Sequence, residues 1–301
     1  MKTPNTMTRL AAVAMLSVAP LFVQGQPSAH YPPGVEGLKG STLPPPGVYF
    51  RDYNWFYIAD RLNDASGDEI QAADARAFVY ANVPRVLWIT EQKILGGFLG
   101  LDALLPLKYT SLEVNTPAGR FDDATFGIGD LFAEATLSWH PQQFDLAIGY
   151  GVWAPTGDFS ERNPTRAGAG FWTHMLTAAV TWYPDKEKQW AISALSRYEF
   201  NHEQAETDIT PGQVYTLEWG VSRALRPTVD VGVVGYWQIQ TTRDHGSGAS
   251  RDRDQVVAIG PEISAVCPHL GLITSLRYLY EVLAEDRLQG HTLALTLTKK
   301  L

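Results

Sequence analysis

The chain has 301 residues, of which 24 are lysine or arginine and 32 are aspartate or glutamate, so its net charge at pH 7 is −8. An acidic chain without a basic stripe is a poor partner for nucleic acid, and we expect none. Charged residues make up 19 %, aromatic residues 11 %, and the mean hydropathy is −0.13. These values exclude a bundle of membrane-spanning helices and favour one large all-β domain.

The chain begins with the layout of a secretory signal peptide. An apolar run over residues 10–23 follows Lys2 and Arg9 and is too short for a spanning helix. We therefore predict a signal peptide over residues 1–25, with cleavage as late as residue 29. The exported protein would enter an oxidising compartment, yet its single cysteine, Cys267, cannot form an intramolecular disulfide.

The next segment, residues 26–47, is rich in proline and glycine and cannot form a central strand or a helix. We predict a coil that is either periplasmic or folded into the mouth of the domain that follows.

From residue 48 onward, short segments alternate between apolar and polar residues. Over residues 228–241, Val231 and Val233 fall on one parity, while Asp230 and Gly232 fall on the other. Alternation with period two indicates a strand between an apolar and a wet environment. The same pattern predicts about twelve strands, at residues 48–58, 75–90, 94–114, 125–139, 144–155, 172–183, 190–200, 213–225, 228–241, 255–266, 271–282 and 291–301. An even number is typical of bacterial single-chain outer-membrane barrels.

The predicted connections alternate in length. Short ones lie at residues 91–93, 140–143, 184–189, 226–227 and 267–270, and longer ones at 59–74, 115–124, 156–171, 201–212, 242–254 and 283–290. Short periplasmic turns and long extracellular loops produce this alternation when both termini are periplasmic. The sequence therefore predicts an all-β fold, with a single antiparallel transmembrane β-barrel of the bacterial outer membrane over residues 48–301.

The two parities predict the two faces of the barrel wall. On the lipid side, aromatic residues near strand ends predict two interfacial girdles: Trp139, Trp172, Trp182, Trp190, Tyr198, Tyr278 and Tyr280. The opposite parity predicts the charged lumen and the substrate path: Asp102, Lys108, Asp130, Glu134, Asp145, Arg197, Glu199, Glu218, Asp230, Glu262, Arg277 and Glu281. Because acids far outnumber bases in this set, some carboxylates must be solvated, paired with neighbours or met by a basic segment.

A barrel of about twelve strands encloses a narrow interior, so we expect a constricted or gated pore. Residues 26–47 carry Lys39 and the apolar side chains Tyr31, Val35 and Leu38, and could enter the lumen as a plug. Because prolines lack an N–H donor, we expect such a plug to make few backbone hydrogen bonds and to move at modest cost.

Several short motifs carry a resemblance to a known family. They are HYPPGVEG at residues 30–37, LPPPG at 43–47 with RDYN at 51–54, GIGD at 127–130 and PTGDF at 155–159. In these segments, and from about residue 30 to the C-terminus, the chain resembles the outer-membrane proteins of the putative MetA-pathway of phenol degradation family, which are transporter-like barrels. The resemblance implies a barrel that admits small hydrophobic or aromatic compounds.

Two loops contain residues that could narrow the pore or bind a metal ion. The PTGD stretch at residues 155–158 has the composition of a turn, but its loop could instead fold inward so that Asp158 or Arg162 narrows the pore. Residues 63–69 are oxygen-rich like a calcium loop, yet they lack the EF-hand spacing and favour a solvated acidic loop. We predict no metal site and no cofactor.

The sequence thus predicts a transporter or channel in the cell outer membrane and not an enzyme. The expected partners are outer-membrane lipid and lipopolysaccharide, the barrel assembly machinery and a small hydrophobic or aromatic solute. One alternative is an outer-membrane enzyme of phospholipase type, for which His174 and Ser196 would need hydrogen-bond reach and an acidic or amide orienter. The other is a structural or adhesive barrel, although its loops are mostly charged and poor in aromatic residues.

Overall fold

The computed structural model describes residues 29–301, so the predicted signal peptide and its cleavage region before residue 29 lie outside the described residues. The described chain forms fourteen strands. They are β1 (Gly47–Asn63), β2 (Asp74–Ile94), β3 (Gly97–Leu104), β4 (Leu107–Thr116), β5 (Gly119–Ile128), β6 (Leu131–Trp139), β7 (Phe144–Ala154), β8 (Thr173–Trp182), β9 (Trp190–Asn201), β10 (Val214–Arg226), β11 (Val229–Gln240), β12 (Gln255–Cys267), β13 (Leu272–Glu285) and β14 (Arg287–Lys300). Within residues 29–301, no helix is long and apolar enough to cross a membrane.

The strands form one antiparallel sheet that closes on itself, because β1 pairs with both β14 and β2. Along β2, the first half pairs with β4 and the second half with β3. On their far sides, β4 pairs with β5 and β3 pairs with β6. Each position around the barrel wall is called a stave here. β3 and β4 together fill one stave, β5 and β6 together fill another, and every other strand fills one by itself, so the fourteen strands make a barrel of twelve staves. The predicted antiparallel barrel and its strand number are confirmed.

The two interrupted staves are broken side by side. Leu105 and Pro106 separate β3 from β4, and the proline has no N–H to donate, while Gly129 and Asp130 separate β5 from β6. The N–H of Gly129 donates to the carbonyl oxygen of Pro106 at 2.7 Å, which holds the two breaks together. The sequence pattern predicted both staves but showed each as an unbroken strand.

Two predicted long loops are wrong. Residues 115–124 belong mostly to β4 and β5, which a two-residue turn at Pro117 and Ala118 connects. Residues 283–290 belong mostly to β13 and β14, which meet at Asp286, whose φ is 53°. These strands run beyond the alternating region, and near their tips polar residues occupy both parities, so the period of two is lost there.

One stretch of the wall is closed by a loop. β5 pairs only with β4, and its other edge is covered by residues 155–172, which connect β7 to β8. The N–H of Asp158 donates to the carbonyl oxygen of Ile128, and its Oδ2 accepts from the N–H of Ile128, both at 2.8 Å. The hydroxyl oxygens of Thr165 and Thr125 lie 2.7 Å apart. Phe126, which has no strand beside it on that edge, is 67 % exposed.

Candidate functional site

The interior of the barrel holds the charged residues that the sequence assigned to the lumen. Ten of the twelve are buried: Asp102, Asp130, Glu134, Asp145, Arg197, Glu199, Glu218, Glu262, Arg277 and Glu281. Lys108 and Asp230 are partly buried. On the opposite parity, Val233 and Ile263 are 44 % and 47 % exposed on the outer surface. The structure therefore brings the charged set together inside the wall, whereas a role for these residues in solute passage stays a prediction.

Residues 30–42 lie among these charges, and Glu218 holds the middle of the segment. Its Oε1 accepts hydrogen bonds from the backbone N–H groups of Gly34 and Glu36 at 2.9 and 3.0 Å. Its Oε2 accepts from the Tyr31 hydroxyl and from Nη1 of Arg197, both at 2.7 Å. One carboxylate thus binds two backbone amides, a phenol and a guanidinium, which are all donors.

Two further glutamates bind the segment in the same way. Glu199 Oε1 accepts from the backbone N–H groups of His30 and Tyr31, both at 3.0 Å, and Glu262 Oε2 accepts from that of Leu38 at 3.0 Å. Five backbone amides therefore bind lumen carboxylates. The excess of acids is met mainly by main-chain donors, and the expectation that the segment makes few backbone hydrogen bonds is wrong. Sequence reasoning missed these contacts because every residue type carries the same amide.

The segment also brings a carboxylate of its own to the opposite wall. Glu36 lies 3.2 Å from Nη1 of Arg51 and 3.1 Å from Nη1 of Arg85, and it accepts from the Tyr53 hydroxyl at 2.7 Å. Burial alone would raise the pKa of Glu36, but the charges of Arg51 and Arg85 outweigh it and lower the pKa to about 2. The sequence analysis did not select Arg51 or Arg85, although both stand on the inward parity of their strands.

The beginning of the described segment is fixed by His30. Its Nε2 lies 2.9 Å from Oδ2 of Asp130, its Nδ1 lies 2.7 Å from the hydroxyl of Thr173, and its ring stacks on Trp153 with 5.3 Å between the centroids. Burial lowers the pKa of His30 and favours the neutral ring, while Asp130 opposes this effect.

Further apolar and polar contacts hold the segment against the inner wall of the barrel. Tyr31 and Val35 pack on a buried cluster that contains Phe132 and Met175, and the guanidinium of Arg197 lies 4.0 Å from the centre of the Tyr31 ring. Further along, Leu38 and Leu43 pack on two other clusters of the inner wall. Lys39 Nζ donates to Asp230 at 2.9 Å, and Thr42 donates to Asp145 at 2.9 Å.

Beside the segment, a cavity of about 460 Å³ extends toward the long loops. Residues 30–33 and Val35 line one end. The wall from β2 and β4 is largely apolar and includes Ala75, Ala77, Val79, Leu112 and Val114. The sequence predicted a charged lumen; this apolar wall differs from it because small aliphatic residues occupy the inward parity of β2.

The loop over residues 155–172 contributes to the cavity, but not through the two side chains that the sequence suggested. Asp158 binds the end of β5, as described above, and Arg162 is exposed on the loop. Arg166 and the residues around it line the cavity instead. The turn beginning at Asp64 is organised locally, since its Oδ1 accepts the N–H groups of Ser66 and Asp68. In the described part of the chain, no group of three or more His, Cys, Asp or Glu residues is placed to hold a metal ion.

The pair considered for a phospholipase-type site is not assembled. His174 Nδ1 contacts the Tyr150 hydroxyl at 2.6 Å, whereas Ser196 donates to the Tyr215 hydroxyl at 3.0 Å. The register sets Ser196 opposite Ala178, four positions along β8 from His174, or about 13 Å at the usual rise per residue. Nucleophile and base need contact at about 3 Å, so these two cannot work together in this arrangement.

Comparison with solved structures identifies barrels of the same architecture. The COG4313 outer membrane channel from Pseudomonas putida F1 superimposes with a TM-score of 0.73 at 15 % identity, covering 91 % of this chain and 100 % of that one. The translocator domain of the autotransporter NalP from Neisseria meningitidis gives a TM-score of 0.51 at 12 % identity, covering 98 % of each chain. At these identities the likeness shows the fold.

Among curated proteins, none matches this chain. The model of the family "Putative MetA-pathway of phenol degradation" matches residues 59–297, which is most of the barrel. The resemblance inferred from short motifs is thereby confirmed, and the chain belongs to this family.

Proposed function

We propose that the protein is an outer-membrane transporter for the uptake of small hydrophobic or aromatic compounds. The observation that carries this proposal is the cavity of about 460 Å³, with its apolar wall, which opens toward the long loops and meets the N-terminal segment at its other end. A volume of this size suits a small organic molecule, and an apolar wall favours an apolar one. The family description points to phenol degradation, a pathway that consumes aromatic compounds.

The outer surface supports a position in the outer membrane. Trp172, Trp182, Trp190, Tyr278 and Tyr280 are each more than 40 % exposed, while Trp139 and Tyr198 are partly buried. Trp172, Trp182 and Trp190 lie at strand ends, where exposed aromatic rings suit the lipid–water interfaces of a transmembrane barrel, whereas Tyr278 and Tyr280 lie within β13. Outer-membrane lipid, lipopolysaccharide and the barrel assembly machinery are then the partners of the protein.

In this proposal the N-terminal segment is a plug, and solute reaches the periplasm only when the segment moves. Five amide–carboxylate hydrogen bonds and the Glu36 ion pairs hold it, so spontaneous opening is rare. Hydrogen bonds to charged groups each contribute about 1.5–3 kcal/mol. Binding of the solute must supply enough free energy to offset the loss of several of these bonds when the segment moves.

The test combines conductance with uptake. In planar bilayers, deletion of residues 30–43 should raise the basal current, whereas the whole protein should pass little current. In cells that express the whole protein, entry of naphthalene should be faster than in cells without it. A large steady current through the whole protein, with no acceleration of naphthalene entry, would indicate a general porin and contradict the proposal. An unchanged current in a correctly folded deletion variant would remove the plug.

A further inference from the structure

The cavity is lined by apolar side chains and by charged ones of both signs, and two of its cationic side chains lie beside the apolar wall. Lys108 lies on β4, and Arg166 lies on the loop that closes the wall beside β5; both line the cavity. The nearby wall from β2 and β4, including Ala75, Val79 and Leu112, offers no charge to either. The other charged lining residues are Arg85, Asp130, Arg197, Asp244, Asp252, Asp254, Glu281, Asp286 and Arg287. Beside its apolar wall, the cavity therefore has a small cationic region at Lys108 and Arg166.

Among the residues that the structure describes, Lys108 has no close partner for its charge. Its cross-strand neighbours are Ala81 and Gly127, which carry no polar side chain. Across residues 29–301, Lys108 makes no ion pair within 4.0 Å and no side-chain hydrogen bond. The wall around it thus leaves the ammonium group unpaired at the edge of the cavity.

Asp130 is the acid whose charge acts on Lys108, but its carboxylate is already occupied. Oδ1 accepts from the N–H of Gly157 at 2.8 Å. Oδ2 lies 2.9 Å from Nε2 of His30 and accepts from the N–H of Ala169 at 2.6 Å. Asp130 therefore holds the segment and the loop together, and in the described chain its carboxylate is not within 4.0 Å of the Lys108 ammonium group.

Arg166 is positioned but not neutralised. Its guanidinium lies 5.0 Å from the centre of the Phe159 ring, and its Nη1 donates to the carbonyl oxygen of Asn163 at 3.2 Å. Neither contact supplies a negative charge. The charge of Glu161, on the same loop, acts on Arg166 without an ion pair within 4.0 Å, and the charge of Arg166 acts on Lys108. Two like charges beside an apolar cavity are unfavourable in isolation, and an anion bound there relieves the repulsion of both.

We propose that Lys108 and Arg166 form an anion subsite for the head of an apolar monocarboxylate, whose hydrocarbon body occupies the cavity. This proposal rests on the proposed function and narrows its substrate class from small hydrophobic or aromatic compounds to monocarboxylates with an apolar, aromatic body. A carboxylate suits the site because it accepts several N–H donors at once, which an ammonium and a guanidinium supply. The apolar wall then selects the body, and the two cations select the head.

The experiment compares 2-naphthoate with naphthalene, which share the ring system and differ in the charged group. Binding of each to the purified full-length barrel is measured by isothermal titration calorimetry in one detergent. The variants are Lys108→Met, which keeps the length of the side chain, Lys108→Arg, which keeps the charge, and Arg166→Gln, which alters only the loop. Lys93→Met, at the turn end of β2 and outside the cavity, is the matched loss of one positive charge.

We expect the wild type and Lys93→Met to prefer 2-naphthoate to naphthalene. Lys108→Met should weaken the binding of 2-naphthoate by about tenfold or more, as expected for the loss of a charged hydrogen-bond donor, and should leave the binding of naphthalene nearly unchanged. Lys108→Arg should retain the preference, and Arg166→Gln should reduce it.

Equal weakening of both ligands by Lys108→Met, or no weakening of either, would overturn the anion subsite. Should Lys108→Met fail to fold, loss of the preference in Arg166→Gln supports the subsite, and an unchanged preference there overturns it. Tight binding of naphthalene without any preference for 2-naphthoate would refute the subsite while leaving the proposed function standing. Binding of neither ligand would overturn both.

Discussion

The Nε2 of His30 lies 2.9 Å from Oδ2 of Asp130, and this contact joins the N-terminal segment to the break between β5 and β6. The same carboxylate accepts the backbone N–H groups of Gly157 and Ala169 from the loop that covers β5. Asp130 thus connects three parts of the chain, namely the segment in the lumen, the interrupted stave and the loop. A change at this carboxylate should loosen all three together.

The first prediction concerns Asp130→Ala, which leaves three donors without their acceptor. We expect the barrel to fold, the segment to leave its seat more often and the single-channel current to appear in more frequent openings. Asp185→Ala is the matched control, because Asp185 accepts two backbone N–H groups in the turn between β8 and β9, away from the segment. Equal opening frequencies in the two variants would show that Asp130 does not hold the segment.

The second prediction concerns Glu218, which binds two amides of the segment and the Tyr31 hydroxyl. Glu218→Gln keeps an acceptor oxygen but loses the charge, and Glu218→Ala loses both. Because charged hydrogen bonds contribute about 1.5–3 kcal/mol each, we expect the open probability to rise by about tenfold or more in Glu218→Ala and by less in Glu218→Gln. The open probability is measured in single-channel recordings, and we expect it to increase from the wild type to Glu218→Gln to Glu218→Ala. Identical currents in both variants and the wild type would contradict this order.

The sequence predicted the staves because most of them separate an apolar face from a wet one. In β11, Val231 and Val233 alternate with Asp230 and Gly232, and this alternation follows directly from the geometry of a strand. The first half of β5 was missed for the converse reason. Around Arg120 polar residues occupy both parities near the tip of the β4–β5 hairpin, so neither face is marked.

The site was less accessible to sequence reasoning. The charge of Glu218 and its inward parity were visible, but its partners are backbone amides that no residue type reveals. The apolar part of the cavity depends on which inward positions of β2 lie beside β4, and this follows only from the register, for example Ala77 opposite Leu112. A pattern along one strand cannot show such a pairing.

The third prediction tests the orientation of the wall with one added charge on each face. Val233 is 44 % exposed on the outer face, so Val233→Arg should cost about 2–4 kcal/mol near the bilayer midplane. Ser264→Arg is the inward comparison, since Ser264 shares the parity of buried Glu262. Gly232 is unsuitable for this purpose, because a side chain there would meet the carbonyl oxygen of Val221 and come within 2.8 Å of Leu38. The folded fraction of each variant is measured on heat-modifiability gels. Equal folded fractions for Val233→Arg and Ser264→Arg would contradict the assignment of the outer and inner faces.

The last prediction concerns pH and the turn at Asp286, which lies between β13 and β14 outside the spanning part of the wall. Burial, followed by the charges of Asp252 and Asp254, raises the pKa of Asp286 from 3.8 to about 6. An acid with a raised pKa in the folded state binds its proton more tightly when folded. Its contribution to stability is therefore full below about pH 4 and is lost as the pH rises through about 6.

We therefore expect the barrel to melt at a higher temperature at pH 5 than at pH 7.5. Asp286→Asn should reduce this difference by raising the melting temperature at pH 7.5. Asparagine removes the charge and tolerates the φ of 53° at this position, so the turn itself is preserved. Asp122→Asn, which removes an exposed carboxylate of β5 that pairs with the exposed Arg120, is the comparison for the same change in net charge. If both variants keep the difference between the two pH values that the wild type shows, repulsion at the Asp286 turn does not control the stability of this end of the barrel.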